Sequence, residues 1–242
     1  MITGSSGYIG SHVTLQFLQD GTYRVRGTVR DLENQAKIDP IRQAFGEELF
    51  GQLELVQADL NDEDSMTRAI EGATYVVHIA SPLQVYQTEE EFVRPAVNGT
   101  LAILRACKAN GVRRFVMTSS IASCMYPSES DRPESGIIDA SIWSEVKSNP
   151  QGFYQFYQNS KILAEKAAWD YQQSLPESER FEITTILPSF IMGPNLRAEW
   201  FASCDWLIRL MTGKLVQISA QAMGVADVRE VAYAHLQAII GV

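Results

Sequence analysis

The stretch TGSSGYIG at residues 3–10 places Gly4, Gly7 and Gly10 at a spacing of three residues, ahead of an amphipathic segment. Gly4 permits a tight turn out of a strand, Gly7 lets the backbone approach a pyrophosphate, and Gly10 allows close packing of helix on strand. The helix that follows offers N–H groups and the positive end of its dipole to phosphate. We therefore predict a dinucleotide site that includes Gly4, Gly7, Tyr8, Ile9 and Gly10.

Strand-like and helical patterns alternate after this loop. Apolar or β-branched runs that indicate strands lie at residues 23–29, 53–56, 75–79, 115–117 and 183–187. Amphipathic segments at 9–18 and 92–109 separate some of them. This alternation predicts an α/β fold, a Rossmann-type doubly wound parallel sheet with helices on both faces.

The second half of the chain is less regular. Residues 126–150 are rich in Ser, Pro, Asp and Glu and indicate a long loop, while 200–211 and 227–240 look helical. We expect residues 1–190 to form the dinucleotide-binding domain with the catalytic residues. Residues 191–242 would form a small, apparently truncated substrate lobe interwoven with that domain.

The composition limits the possible partners. The net charge is −9, which would repel a phosphate backbone, so no nucleic acid is expected. No apolar run is long enough to span a bilayer and no export leader is recognisable, which predicts a cytoplasmic protein with no membrane partner. The three cysteines and three histidines are scattered, without the spacing of metal ligands, so no metal site is expected.

The end of the second predicted strand bears on the choice of cofactor. Arg30 stands where an NAD-selective site has a carboxylate, and an arginine accommodates a 2′-phosphate instead. Guanidinium and phosphate pair by charge-assisted, bidentate hydrogen bonds, and Lys37 would add a second positive charge. The adjacent Asp31 keeps NAD open as an alternative, but the pattern favours NADP(H).

Two further strand ends supply candidate cofactor contacts. Asp59 and Leu60 follow the third strand, where the carboxylate either accepts a hydrogen bond from an adenine amino group or starts a helix. Ala80 and Ser81 follow the fourth strand, and their small side chains leave room for a ligand at the carboxyl edge of the sheet. His78 is expected to be a buried strand residue.

A tyrosine and a lysine, Tyr157 and Lys161, share one helical face because they are four residues apart. Lowering the pKa of a tyrosine by about three units, to near neutrality, requires about 4 kcal/mol. One positive charge at about 4 Å supplies an energy of that order at an effective dielectric constant near 20. The pair is therefore suited to proton exchange. Ser119 and Ser120 follow another strand, where their hydroxyls would polarise a carbonyl oxygen or simply cap the strand.

Together these elements resemble the extended short-chain dehydrogenase/reductases. The resemblance is to the branch with dihydroflavonol reductases, cinnamoyl-CoA reductases and related aldehyde or ketone reductases. The segments that carry it are residues 25–31, 114–120, 139–145, 161–169, 188–194 and 227–235. It implies a hydride transfer from NADPH to a small-molecule carbonyl substrate.

The resemblance also implies residue roles. Tyr157 would be the proton donor, Lys161 its partner and the ribose anchor, and Ser120 the catalytic serine, with Ser119 its near rival. Arg30 and Lys37 match positions that contact the NADPH phosphate, and Pro188 would lie beside the nicotinamide.

The sequence also departs from the family in places. Met125 stands where flavonoid-reducing members carry an asparagine that holds substrate, which argues against a flavonoid. Residues 153–156 do not reproduce the cinnamoyl-CoA reductase signature, and the family's chain continues past residue 242. An NAD-dependent sugar-nucleotide epimerase or dehydratase and a non-catalytic NADP-binding protein stay open as alternatives. So does the choice between monomer and homodimer.

Overall fold

Parallel strands alternate with helices along the chain. The computed structural model describes residues 1–81, 88–196, 202–214 and 224–241. The strands are β1 Val25–Val29, β2 Leu53–Gln57, β3 Tyr75–His78, β4 Arg114–Thr118, β5 Glu182–Ile186, β6 Phe190–Met192 and β7 Val225–Asp227. The helices are α1 Tyr8–Asp20, α2 Gln35–Phe50, α3 Glu63–Ile70, α4 Glu89–Ala109, α5 Gly152–Ser174, α6 Ala202–Met211 and α7 Val228–Ile240.

The first three residues complete the main sheet. The amide of Ile2 donates to Arg26 O at 2.8 Å, and the amide of Thr3 donates to Val77 O at 2.9 Å. Ile2 thus bridges β1 and β3, and the order is β2–β1–Ile2–β3–β4–β5 with every pairing parallel. The strand order reverses at Ile2, which makes a topological switch point of the kind where such sheets bind ligands. The predicted Rossmann-type fold is confirmed.

Adjacent residues of β4 point into two separate cores because side chains alternate along a strand. Phe115 packs with Ile103 and Leu104 of α4 and with Ala164 of α5. Val116 packs in the second core, on the opposite face, which contains Val13, Phe17, Ile41, Leu236 and Ile239. Residues of α7 therefore help to cover the main sheet, while β6 and β7 form a small separate parallel pair. The division of the chain at residue 190 stays a prediction.

Several element boundaries differ from the sequence-based expectation. Helix α5 begins at Gly152 and includes both Tyr157 and Lys161. Helix α6 begins at Ala202, and residues 200 and 201 lie outside the described part of the chain. Residues 126–150 contain neither helix nor strand, as predicted. Among the residues that the structure describes, no helix is both long enough and apolar enough to cross a membrane.

Candidate functional site

The glycine loop has little room for side chains. Gly4 has a φ of +69°, a conformation that favours glycine. A Cβ at Gly10 would lie only 2.0 Å from the carbonyl oxygen of Gly4, so α1 packs directly on the loop. Gly7 is the N-cap residue of α1, and no side chain caps this end in the described structure. Tyr8, Ile9 and Gly10 form the first turn, where helix N–H groups are suited to an anion.

Thr3 ties this loop to the end of β3. Its hydroxyl oxygen accepts hydrogen bonds from the amides of Ile79, at 2.9 Å, and Ala80, at 3.0 Å. The hydroxyl hydrogen is therefore directed to Nδ1 of His78, 3.0 Å away. Burial, and secondarily the charge of Lys161, lowers the pKa of His78 to about 3, so this ring is neutral at pH 7. Thr3, the first residue of the glycine motif, was not among the residues predicted for the site.

A crevice at the carboxyl edge of the sheet brings predicted residues together from four segments. It is lined by Leu60, His78, Ala80, Ser81, Thr118 and Lys161, with α4 at its side. Lys161 is 8% exposed, and its Nζ lies 3.5 Å from the hydroxyl oxygen of Ser81. The same Nζ lies 5.8 Å from the ring centroid of Tyr157, which is half-buried. The predicted pair thus shares one face of α5, next to the switch point.

The two candidate serines have different partners. Ser119 donates its hydroxyl hydrogen to the carboxylate of Glu165, and its oxygen lies 3.0 Å from the hydroxyl of Ser123. The Ser120 oxygen accepts from the amide of Ala122 at 3.2 Å. An accepted bond leaves the hydroxyl hydrogen of Ser120 available, whereas that of Ser119 is used within the protein. The geometry therefore favours Ser120 over Ser119 as a donor to substrate.

Pro188 lies beside the turn that follows Ser120. Its carbonyl oxygen accepts from the amide of Ile121 at 3.0 Å. The amide of Ser119 in turn donates to Ile186 O at 2.8 Å. The two bonds hold the segment after β5 against the segment after β4, at the same edge of the sheet as the crevice.

The residues predicted to contact the phosphate and adenine ends lie after β1 and β2. Arg30 is exposed, and Lys37 is half-buried in the first turn of α2. Oδ1 of Asp31 accepts from the amide of Glu33 at 2.9 Å, so that oxygen serves a local turn. Oδ1 of Asp59 accepts in the same way from the amide of Asn61 at 2.8 Å.

A group of aromatic residues lies beside Tyr157. The ring of Phe153 is parallel to that of Tyr157, with an interplanar angle of 1° and centroids 6.5 Å apart. Phe92 meets Phe153 edge-on at 5.2 Å. The hydroxyl of Tyr154 donates to that of Tyr126 at 2.9 Å, and burial together with this bond raises the pKa of Tyr154. Phe153 and Tyr154 are 47% and 54% exposed, so an apolar shelf lies beside the candidate proton donor.

The chain is similar in sequence to one known family over most of its length. The model of the NAD dependent epimerase/dehydratase family matches residues 1–236. The chain belongs to this family. As a member of this extended short-chain dehydrogenase/reductase family, it is 35% identical over 239 residues to tetraketide alpha-pyrone reductase 1 of Arabidopsis thaliana. It is 39% identical over 202 residues to the bifunctional dihydroflavonol 4-reductase/flavanone 4-reductase of Pyrus communis. The alignments cover 97% and 81% of this chain, but 70% and 54% of those relatives.

Solved structures of family members are similar over nearly the whole chain. The NADPH complex of the yeast methylglyoxal/isovaleraldehyde reductase has a TM-score of 0.83 and 28% identity, covering 99% of this chain and 73% of that one. Vestitone reductase from alfalfa has a TM-score of 0.77 and 29% identity, covering 98% and 71%. At the level of the family, these likenesses confirm the predicted branch and the prediction of an NADP-dependent oxidoreductase.

Proposed function

We propose that the chain carries the site of an NADPH-dependent reductase that transfers a hydride to an aldehyde or ketone, with Tyr157 as proton donor. The observation that carries this proposal is the position of Lys161. This buried residue has its Nζ 5.8 Å from the centroid of the Tyr157 ring and 3.5 Å from the Ser81 hydroxyl oxygen, at the carboxyl edge of the sheet. The reductase relatives and the NADPH complex of similar fold support the same reaction.

The residues present fit a dinucleotide. The loop and α1 approach so closely that a Cβ at Gly10 would meet Gly4 O at 2.0 Å, which leaves backbone rather than side chains facing the phosphates. The residues proposed to hold the cofactor are Gly4, Gly7, Tyr8, Ile9, Gly10, Arg30, Lys37, Asp59, Leu60, Ala80, Ser81 and Pro188. When bound, NADPH supplies the hydride for carbonyl reduction.

The protein's own residues handle the proton and the developing charge. Tyr157 gives its hydroxyl proton to the substrate oxygen, and the ammonium group of Lys161 stabilises the negative charge left on the phenol ring. Ser120, whose oxygen accepts from the Ala122 amide, donates its one hydroxyl hydrogen to the same substrate oxygen. Because His78 is neutral at pH 7, its ring adds no second positive charge next to Lys161.

The apolar shelf beside Tyr157 bears on the substrate. Phe153 and Tyr154, in the first turns of α5, are about half exposed. Water contacts their apolar rings unless a ligand covers them. We infer a carbonyl compound with an apolar or aryl substituent that packs on these rings. The expected partner of the chain is this small molecule. The cytoplasmic location stays a prediction, as does the oligomeric state, a monomer or a homodimer.

The proposal is tested by following NADPH oxidation with a panel of methylglyoxal, isovaleraldehyde and aryl aldehydes and ketones, with NADH in parallel. We expect turnover that is faster with NADPH. Tyr157→Phe should lower kcat by about 10²- to 10⁴-fold, because it removes the proton donor, and leave NADPH binding unchanged. Tyr171→Phe, on the same helix, is the matched control. No oxidation with any compound, or an unchanged rate in Tyr157→Phe, contradicts the proposal.

The family match also favours a second candidate. The matching family includes epimerases and dehydratases, so a sugar-nucleotide epimerase or dehydratase that recycles bound NAD is the alternative. Arg30 at the end of β1 argues against it, because an arginine there suits a 2′-phosphate. NAD that copurifies with the chain, without net turnover of added NADPH, would favour the epimerase.

A further inference from the structure

A buried carboxylate lies behind the candidate catalytic residues. Glu165 is 3% exposed on α5, four residues after Lys161 and eight after Tyr157. It accepts a hydrogen bond from the hydroxyl of Ser119, which follows β4. A buried carboxylate is costly unless it is hydrogen-bonded, so this link is expected to be maintained in the folded protein.

The link extends into the turn that carries Ser120. The hydroxyls of Ser119 and Ser123 are 3.0 Å apart, and because Ser119 donates to Glu165, it accepts from Ser123. The amide of Ser123 donates to the backbone carbonyl oxygen of Ser120 at 2.9 Å, and the backbone carbonyl oxygen of Ser123 accepts from the amide of Ser144 at 2.7 Å. Glu165 thus connects α5 to the turn 120–123, and through it to the 126–150 loop.

The link acts on the residue directly before Ser120. Thr118 bonds to His235 of α7, and the next residue, Ser119, bonds to α5. The backbone at Ser120 is extended, with φ −159° and ψ 149°. Because Ser119 and Ser120 share a peptide bond, the bond from Ser119 to Glu165 limits where the Ser120 side chain can lie.

We propose that Glu165 is a positioning residue: through the hydroxyl of Ser119 it fixes the orientation of Ser120 relative to the helix that carries Tyr157. This inference rests on the proposed reductase activity. A single side chain on α5 would then set the position of Ser120 relative to Tyr157 on the same helix.

The test is a double-mutant cycle of Glu165→Ala and Ser119→Ala, measured with saturating NADPH and the aldehyde that the wild-type chain reduces fastest. Each single variant should lower kcat by about 10- to 100-fold, the effect of a small misplacement, with KM for NADPH unchanged. The double variant should lose no more than the worse single variant, because both break the same link. Glu165→Gln should retain most of kcat, since its amide oxygen also accepts from Ser119. Asp170→Ala, an exposed acid on the same helix, is the control.

Two results would overturn the inference: an unchanged kcat in Ser119→Ala, or losses that multiply in the double variant. If Glu165→Ala does not fold, Ser119→Ala decides the question: a kcat lowered by about 10- to 100-fold supports the inference, and an unchanged kcat overturns it. If the wild-type chain turns over no substrate, the proposed function fails, and hydrogen exchange at the Ala122 amide, which bonds to Ser120, still tests the link. Faster exchange in Ser119→Ala supports it, and equal exchange refutes it.

Discussion

The hydroxyl of Thr3 donates to Nδ1 of His78 across 3.0 Å and joins two segments that are 75 residues apart in sequence. Thr3 belongs to the glycine motif, and His78 ends the strand on the other side of the switch point. The same hydroxyl oxygen accepts from the amides of Ile79 and Ala80, directly before Ser81. One fully buried side chain therefore positions the loop proposed to hold the pyrophosphate relative to the crevice beside Lys161.

Thr3→Val should lower both stability and cofactor affinity. The substitution keeps the shape but leaves the amides of Ile79 and Ala80 without their acceptor, which we expect to cost about 1–3 kcal/mol of the free energy of unfolding. Urea unfolding and NADPH titration by fluorescence measure the two effects. Thr3→Ser retains the hydroxyl and is the control. If Thr3→Val matches the wild-type chain in both measurements, the hydrogen bonds of the Thr3 hydroxyl contribute neither to stability nor to NADPH affinity.

Gly10→Ala should disrupt the contact between α1 and the glycine loop. The new Cβ would meet backbone, Gly4 O at 2.0 Å, which no rotamer change relieves. We expect a loss of about 1–3 kcal/mol in the free energy of unfolding, together with weaker NADPH binding. The control is Gly99→Ala in α4, where the nearest atom is Leu60 Cβ at 3.8 Å and alanine gains up to about 1 kcal/mol of helix propensity. Equal effects of the two substitutions would contradict the packing argument.

Arg30→Ala should change the preference between the two cofactors. Loss of a charge-assisted hydrogen bond of about 1.5–3 kcal/mol should raise Kd for NADPH by about 10- to 100-fold and leave Kd for NADH unchanged. Arg24→Ala removes another exposed arginine, one residue before β1 begins, and should alter neither value. Parallel titrations with both nucleotides provide the measurement. An equal loss for NADPH and NADH would mean that Arg30 does not read the 2′-phosphate.

His235 should make the protein less stable in mild acid. Its Nδ1 donates to Val231 O at 2.7 Å, its Nε2 lies 2.7 Å from the Thr118 hydroxyl, and burial lowers its pKa to about 4. The unfolded chain takes up a proton as the pH falls through about 6.5, whereas the folded chain does so only near 4. The free energy of unfolding is therefore undiminished above pH 6.5 and falls between 6.5 and 4, by about 2 kcal/mol at pH 5 from this group.

Urea unfolding of the wild-type chain and His235→Gln at about pH 7.5 and about pH 5 tests this dependence. The loss on acidification should be smaller in the variant by about 2 kcal/mol. Each protein is compared with itself, so the cost of the substitution cancels. An equal loss in both proteins would show that His235 takes up its proton equally in the folded and unfolded states.

The local sequence pattern did not predict α2, α3, β6 or β7. Helix α2 contains Pro40 and has a kink at Gly46, whose φ is +76°, so its apolar period is interrupted. Helix α3 has only eight residues, about two helical turns. The strands β6 and β7 have three residues each, and their pairing joins segments 35 residues apart, which no local pattern indicates.

The sequence by itself determined the features that depend on neighbouring residues. The glycine spacing at 3–10, the alternation of strands and helices, and the four-residue interval from Tyr157 to Lys161 are all local, and each reflects backbone geometry or helical period. Only the tertiary structure distinguishes the partners of Ser119 and Ser120, because the Ser119 hydroxyl bonds to Glu165, 46 residues away. It also decided the partner of His235, Thr118, which is 117 residues distant. Hydrogen-bond partners of buried groups are selected by how helices pack on the sheet, and local sequence patterns do not encode that packing.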